Sequence, residues 1–159
     1  MSSQVRSIRF DDLAALEAAV SPDFGAWGPP FRITQELITA FARLTHDEFW
    51  LHVDPERAKR DSPTGTTIAH GFLVLSLLPA LKTPSPVEIT GARRIFNAGL
   101  DRVRFLRPAP VDSEIVGRMR LAEVRAGGRG GVRVKYEVQI QVVGDSGPAV
   151  AYELLVVYE

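Results

Sequence analysis

The chain has 159 residues, one domain's worth, and its 19 basic and 19 acidic side chains cancel, which removes any electrostatic reason to expect a nucleic-acid partner. With no cysteine, disulfides, thiolate metal sites and cysteine nucleophiles are excluded. The first twenty residues contain Asp11, Asp12 and Glu17 and no continuous apolar stretch, and the longest apolar run, 68–81, is too short to span a bilayer. The expectation is a cytoplasmic protein with no membrane partner.

In chain order, residues 10–20 have helical spacing and are followed by the Pro- and Gly-rich segment 21–30, so residues 1–23 read as an N-terminal helical extension. Residues 33–45 place Ile33, Leu37, Ile38, Phe41, Ala42 and Leu44 on one stripe, which predicts an amphipathic helix with Thr34 as its N-cap. Asp54 followed by Pro55 is the N-cap and first position of another short helix. Residues 68–82 are apolar all round and predict a central helix enclosed by other elements. From there the periodicity changes to alternation. Val132, Val134, Tyr136, Val138, Ile140 and Val142 are apolar against polar neighbours, Val150 to Tyr158 repeat the pattern, and 103–105 and 115–121 carry shorter versions. The connections 107–113, 125–131 and 144–148 are short enough for antiparallel neighbours. Helices followed by an antiparallel meander define an α+β fold, expected as one domain over 1–159.

The segment "THDEFWLHVDPERA", 45–58, interrupts this regularity. Asp47 and His52 lie five residues apart, about 140° around a continuous helix, so on a helix they diverge. If the first long helix stops near Thr45 and the chain turns before Asp54, a carboxylate and an imidazole converge and can hold one water. Spacing alone is equally satisfied by a capping aspartate and a core histidine. In "TTIAHGFLVLS", the Gly71 N–H belongs to the first turn of the next helix, whose donors lack intrahelical partners and lie at the positive end of the dipole. It is suited to stabilising an oxyanion, although taken alone the glycine is more simply explained as relieving crowding against the sheet.

Together these segments resemble the MaoC-like hydratases and dehydratases of the hotdog superfamily, in particular the nodulation protein N-like branch. The shared pattern is a helix ending in T-G-D, three residues, a histidine, and some twenty residues later A-H-G. Here it stands as "FARLTHDEFWLHVDPERA" and "GTTIAHGFLVLSLLPAL", with "NAGLDRVRFLRPAPVDS" similar to the family's first meander strand and turn; the resemblance spans residues 24–159. It implies a hotdog fold, an antiparallel sheet wrapped around a long central helix, with two subunits forming a homodimer. It further implies reversible hydration of a trans-2-enoyl thioester to an (R)-3-hydroxyacyl product, with acyl-CoA as partner and no metal or other cofactor. Asp47 and His52 are then catalytic with the Gly71 N–H, and His70, Phe49, Trp50, Phe72 and Ser76 are substrate-binding candidates. His46 stands where the family has glycine, Phe49 and Trp50 replace an Asn-Pro pair, and Pro79 replaces a serine found in some members. Leu37, Phe41, Phe72 and Leu75 are candidate tunnel residues, and Arg93, Arg94, Arg102, Arg104 and Arg107 are candidates for CoA phosphates.

Competing explanations are weaker. A metal bound by His46, Asp47, His52 and Asp54 lacks HExxH spacing. "GDSGP" at 144–148 has the composition of a hairpin turn between two strands, not of a protease triad. A catalytically silent hotdog subunit that binds acyl-CoA or supports a partner subunit has no use for both Asp47 and His52.

Overall fold

The computed structural model describes residues 6–159. Its elements are β1 (Arg6–Arg9), α1 (Leu13–Glu17), β2 (Phe31–Arg32), α2 (Gln35–Thr45), α3 (Trp50–Val53), α4 (Pro55–Asp61), α5 (Gly71–Ser76), β3 (Val87–Thr90), β4 (Ile95–Phe105), β5 (Glu114–Ala126), β6 (Val132–Val142) and β7 (Val150–Tyr158). The α+β class expected from the periodicity is present. Five strands form an antiparallel sheet in the order β2-β5-β6-β7-β4. Every even-numbered residue of β6 is buried, and these pack with Ile38, Leu73, Val74, Leu81, Ile115, Leu121 and Val150 into one core. No helix among the described residues is long and apolar enough to cross a membrane.

The strands do not follow the simple meander. β4 pairs with β7, and both β6 and β7 lie between β4 and β5. Residues 106–113 therefore connect distant strands. They are tied on the way by Leu106 N–H to the Ala149 carbonyl (2.8 Å), Ala69 N–H to the Ala109 carbonyl (2.8 Å) and Val111 N–H to the Thr67 carbonyl (2.9 Å). A connection's length and composition report that the chain turns, not which strand it reaches.

The same ties shorten the central helix. Ile68 forms an antiparallel bridge with Pro110, so 67–70 are extended and α5 begins only at Gly71. It gives way to turns after Ser76, close to Pro79, which has no N–H to donate. The helix is also not enclosed on every side: Leu73 and Val74 are buried, but Phe72 is 67% exposed.

The N-terminal extension is not only helical. β1 pairs in parallel with β3, forming a small second sheet that the short strands did not announce in sequence; residues 1–5 of the extension lie outside the described residues. Residues 21–28 then strap along β5, with Ser21, Gly25 and Gly28 N–H groups donating to the Leu121, Met119 and Gly117 carbonyls and Arg118 stacked against Phe24 and Trp27.

Both predicted caps are formed: Thr34 Oγ1 accepts from Leu37 N–H (3.2 Å) and Asp54 Oδ1 from Arg57 N–H (2.9 Å). Thr34 sets the start of the helix that ends one residue before the turn into Asp47. Replacing Thr34 by Ala is expected to cost about 1 kcal/mol and to lower the thermal midpoint by a few degrees, measured by circular dichroism.

Candidate active site

Three segments meet at the site. α2 ends at Thr45, and His46 adopts the left-handed conformation (φ 59°), reversing the chain so that Asp47 leaves the helix axis. This is the position the resemblance assigns to glycine, and it has the backbone geometry that favours glycine; nothing in the structure explains the histidine. Residues 50–53, expected as part of a turn, form the single-turn helix α3, which carries His52. Extended residues 67–70 complete the site, joined to α3 by Ile68 N–H donating to the Leu51 carbonyl (3.1 Å).

Backbone carbonyls set the chemistry of both rings. His52 Nδ1 lies 2.7 Å from the Ile68 carbonyl. A carbonyl only accepts, so Nδ1 carries the hydrogen and neutral His52 keeps a lone pair on Nε2. His70 Nε2 lies 2.9 Å from the Asp47 carbonyl and by the same reasoning donates to it. The two imidazoles stack with centroids 3.7 Å apart and planes at 24°. One carboxylate oxygen of Asp47, one ring nitrogen of His52 and one of His70 lie within 4.8 Å of one another. Two hydrogen bonds of about 2.8 Å from one water oxygen span such a gap. Asp47 is 58% exposed and His70 only 3%.

A second layer was missed in the sequence. Gln35, the first residue of α2, donates from Nε2 to the His52 carbonyl (2.8 Å) and to Thr39 Oγ1 (3.2 Å), while its Oε1 accepts from the buried Thr67 hydroxyl (2.5 Å). One amide thus joins α2, α3 and the segment preceding α5. An isolated glutamine off the apolar stripe of α2 gave no spacing signal.

His52 and Gly71 line one cavity of about 360 Å³ with Ile68, Phe105, Leu106 and Arg107. Gly71's missing side chain has a structural use: a Cβ there would meet the Phe105 ring at 2.6 Å. A larger, mainly apolar cavity of about 750 Å³ lies along α5 and β4, with Phe72, Leu75, Ser76, Leu100, Met119 and Tyr152 among its lining. Burial raises the Tyr152 phenol above its ordinary pKa, so it stays protonated.

The remaining sequence candidates divide. Phe72, Leu75 and Ser76 reach the larger cavity, but the Ser76 hydroxyl already donates to the Leu73 carbonyl (2.8 Å). Leu37 and Phe41 pack against the core instead. Phe49 is exposed and leans edge-on against His52, whereas Trp50 stacks under Arg57. His70, expected against substrate, is packed between Phe41 and His52. Of the five arginines, Arg107 lines the smaller cavity, while Arg94 and Arg102 pair with Glu159 (3.0 Å) and Glu153 (3.6 Å).

Comparison with known proteins identifies the family. Residues 26–142 match the MaoC like domain. A 3-hydroxyacyl-thioester dehydratase Z of Mycobacterium tuberculosis is 40% identical over 151 residues, covering 94% of this chain and 97% of the relative. Nodulation protein N of Rhizobium leguminosarum bv. viciae is 42% identical over 117 residues, 74% of this chain and 73% of the relative. The solved (R)-hydratase from A. caviae superposes with a TM-score of 0.66 at 24% identity, covering 86% of this chain and 96% of that one, and shares the hotdog fold. The chain belongs to the MaoC-like dehydratase family and is a hydro-lyase of that hydratase/dehydratase type.

Gln35→Leu leaves the buried Thr67 hydroxyl and the His52 carbonyl without their partner. The expected loss is about 1–3 kcal/mol, read as a lower urea midpoint with an unchanged slope.

Proposed function

We propose that the chain hydrates trans-2-enoyl thioesters of coenzyme A reversibly to (R)-3-hydroxyacyl thioesters, acting as a cytoplasmic homodimer. The observation that carries this reading is the contact of His52 Nδ1 with the Ile68 carbonyl: with Nδ1–H committed there, Nε2 is left as an acceptor, on a ring that has one nitrogen within 4.8 Å of an Asp47 carboxylate oxygen. A water between them is oriented by Asp47 and gives a proton to His52 Nε2 as its oxygen bonds to C3. Charge then gathers on the thioester oxygen, where the Gly71 N–H, first in its helix and without an intrahelical acceptor, stabilises it. The same pair returns a proton to C2, and dehydration is the reverse. Because Phe105 covers the Cα of Gly71, the thioester oxygen approaches the N–H from the other side or the ring turns aside.

In this reading the alkyl chain occupies the larger cavity beside Phe72 and Leu75, and Phe49 and Trp50 frame the approach to His52. Arg107 is the cation placed to meet an anionic part of the coenzyme. The dimer is supported by β4, an edge strand with Ile95, Phe96, Leu100 and Phe105 all 43–60% exposed, a surface that an isolated chain leaves uncovered.

Incubation with crotonyl-CoA and with a longer enoyl-CoA is expected to bleach the conjugated thioester absorbance; no consumption of either favours a silent binding subunit. Asp47→Asn and His52→Gln are each expected to lower kcat by about a hundredfold or more with the fold retained, and near-normal turnover in either removes that residue from the mechanism. Light scattering is expected to give twice the chain mass, and a monomer contradicts the proposed assembly.

A further inference from the structure

His70 is only 3% exposed, and the mechanism above leaves it unused. It is the N-cap of α5, packs against Phe41 at a centroid distance of 5.1 Å, and lies flat against His52. Its Nε2–H donates to the Asp47 carbonyl, while Nδ1 is buried with no hydrogen-bond partner. That orphan atom is informative. An unpaired buried acceptor is destabilising, and an apolar ring of similar size fills the same space without leaving one. Stability alone therefore gives no reason for an imidazole here. What a histidine supplies and phenylalanine does not is a donor to the backbone carbonyl of Asp47 itself.

We infer that His70 is the positioning residue of the site: its Nε2–H holds the Asp47 turn while its ring face fixes the plane of His52, so one side chain sets the separation of the two groups that hold water. This rests on the hydratase reading for its chemistry, but the geometry it asserts is independent of turnover. His70 contacts no substrate in this account, in contrast to the role its motif position suggested. Its ring is 3% exposed, whereas Phe49 is 53% exposed. The groups facing it are Asp47 from the turn, His52 from α3 and Phe41 from α2; its Nε2–H has the Asp47 carbonyl at hydrogen-bond distance (2.9 Å), with an Asp47 carboxylate oxygen farther off at 3.9 Å.

The test compares wild type with His70→Phe, which keeps ring volume and stacking but removes the donor, and His70→Gln, which restores an N–H. With crotonyl-CoA, His70→Phe is expected to lose about tenfold or more in kcat, with KM within about twofold and a melting temperature no lower than wild type. His70→Gln is expected to regain part of kcat. Unchanged kcat in the Phe variant, a loss confined to KM, a Gln variant no better than Phe, or failure of the Phe variant to fold each overturns the inference. Amide hydrogen exchange of residues 46–49 is read on the same proteins without substrate: about fivefold faster in His70→Phe and slowed again in His70→Gln. If wild type consumes no enoyl thioester, the hydratase reading fails, while equal exchange in wild type and His70→Phe defeats the positioning role by itself.

Discussion

A helix that began at Ile68 would tie the Ile68 carbonyl to the N–H four residues on and leave His52 Nδ1 without an acceptor. The bridge between Ile68 and Pro110 prevents this by holding 67–70 extended against the connection that leaves β4. Two consequences follow from one constraint. The carbonyl is free to fix the His52 tautomer, and Gly71 becomes the first residue of α5, with its N–H unclaimed. The acceptor nitrogen and the oxyanion donor are thus set by the same three or four residues of extended backbone, supplied by a segment that contains none of the reacting groups.

Several departures from ordinary packing lie in this region. His46 takes a left-handed backbone without being glycine, His70 buries an unpaired nitrogen, and Gly71 is overlain by Phe105 so closely that any side chain would collide. The β6–β7 centre of the sheet, by contrast, is regular: β6 alternates without interruption, and its pairing with β7 runs in register from Val132 to Ile140, while register shifts fall in the β5–β6 pairing near Leu121 and in β4. This regular centre supplies the stability against which a strained turn and an orphaned acceptor persist.

Sequence disclosed the parts governed by local rules. Thr34 and Asp54 cap because short polar side chains before a helix have few other uses, β6 and β7 declare themselves by alternation, and the pairing of Asp47 with His52 follows from a motif that spans the helix end. What stayed hidden depends on partners remote in the chain. β1 and β3 are four-residue strands that exist by pairing with each other; the start of α5 is decided by Pro110, forty residues away; Gln35 matters because Thr67 and His52 come to it. The apolar run 68–82 reads as a helix wrapped by other elements, and hydropathy does not distinguish a residue buried in its own chain from Phe72, which this chain leaves exposed.

That exposure links the chemistry to the free edge. The cavity containing His52 and Gly71 and the larger apolar one are separated by Phe72 and Phe105, whose rings meet edge-to-face at 5.2 Å. A thioester reacting at His52 with its alkyl chain in the larger cavity has to pass these two rings. Phe72 stands on α5 and Phe105 on the edge strand β4, so the rings that divide the cavities also belong to the apolar surface this chain leaves open.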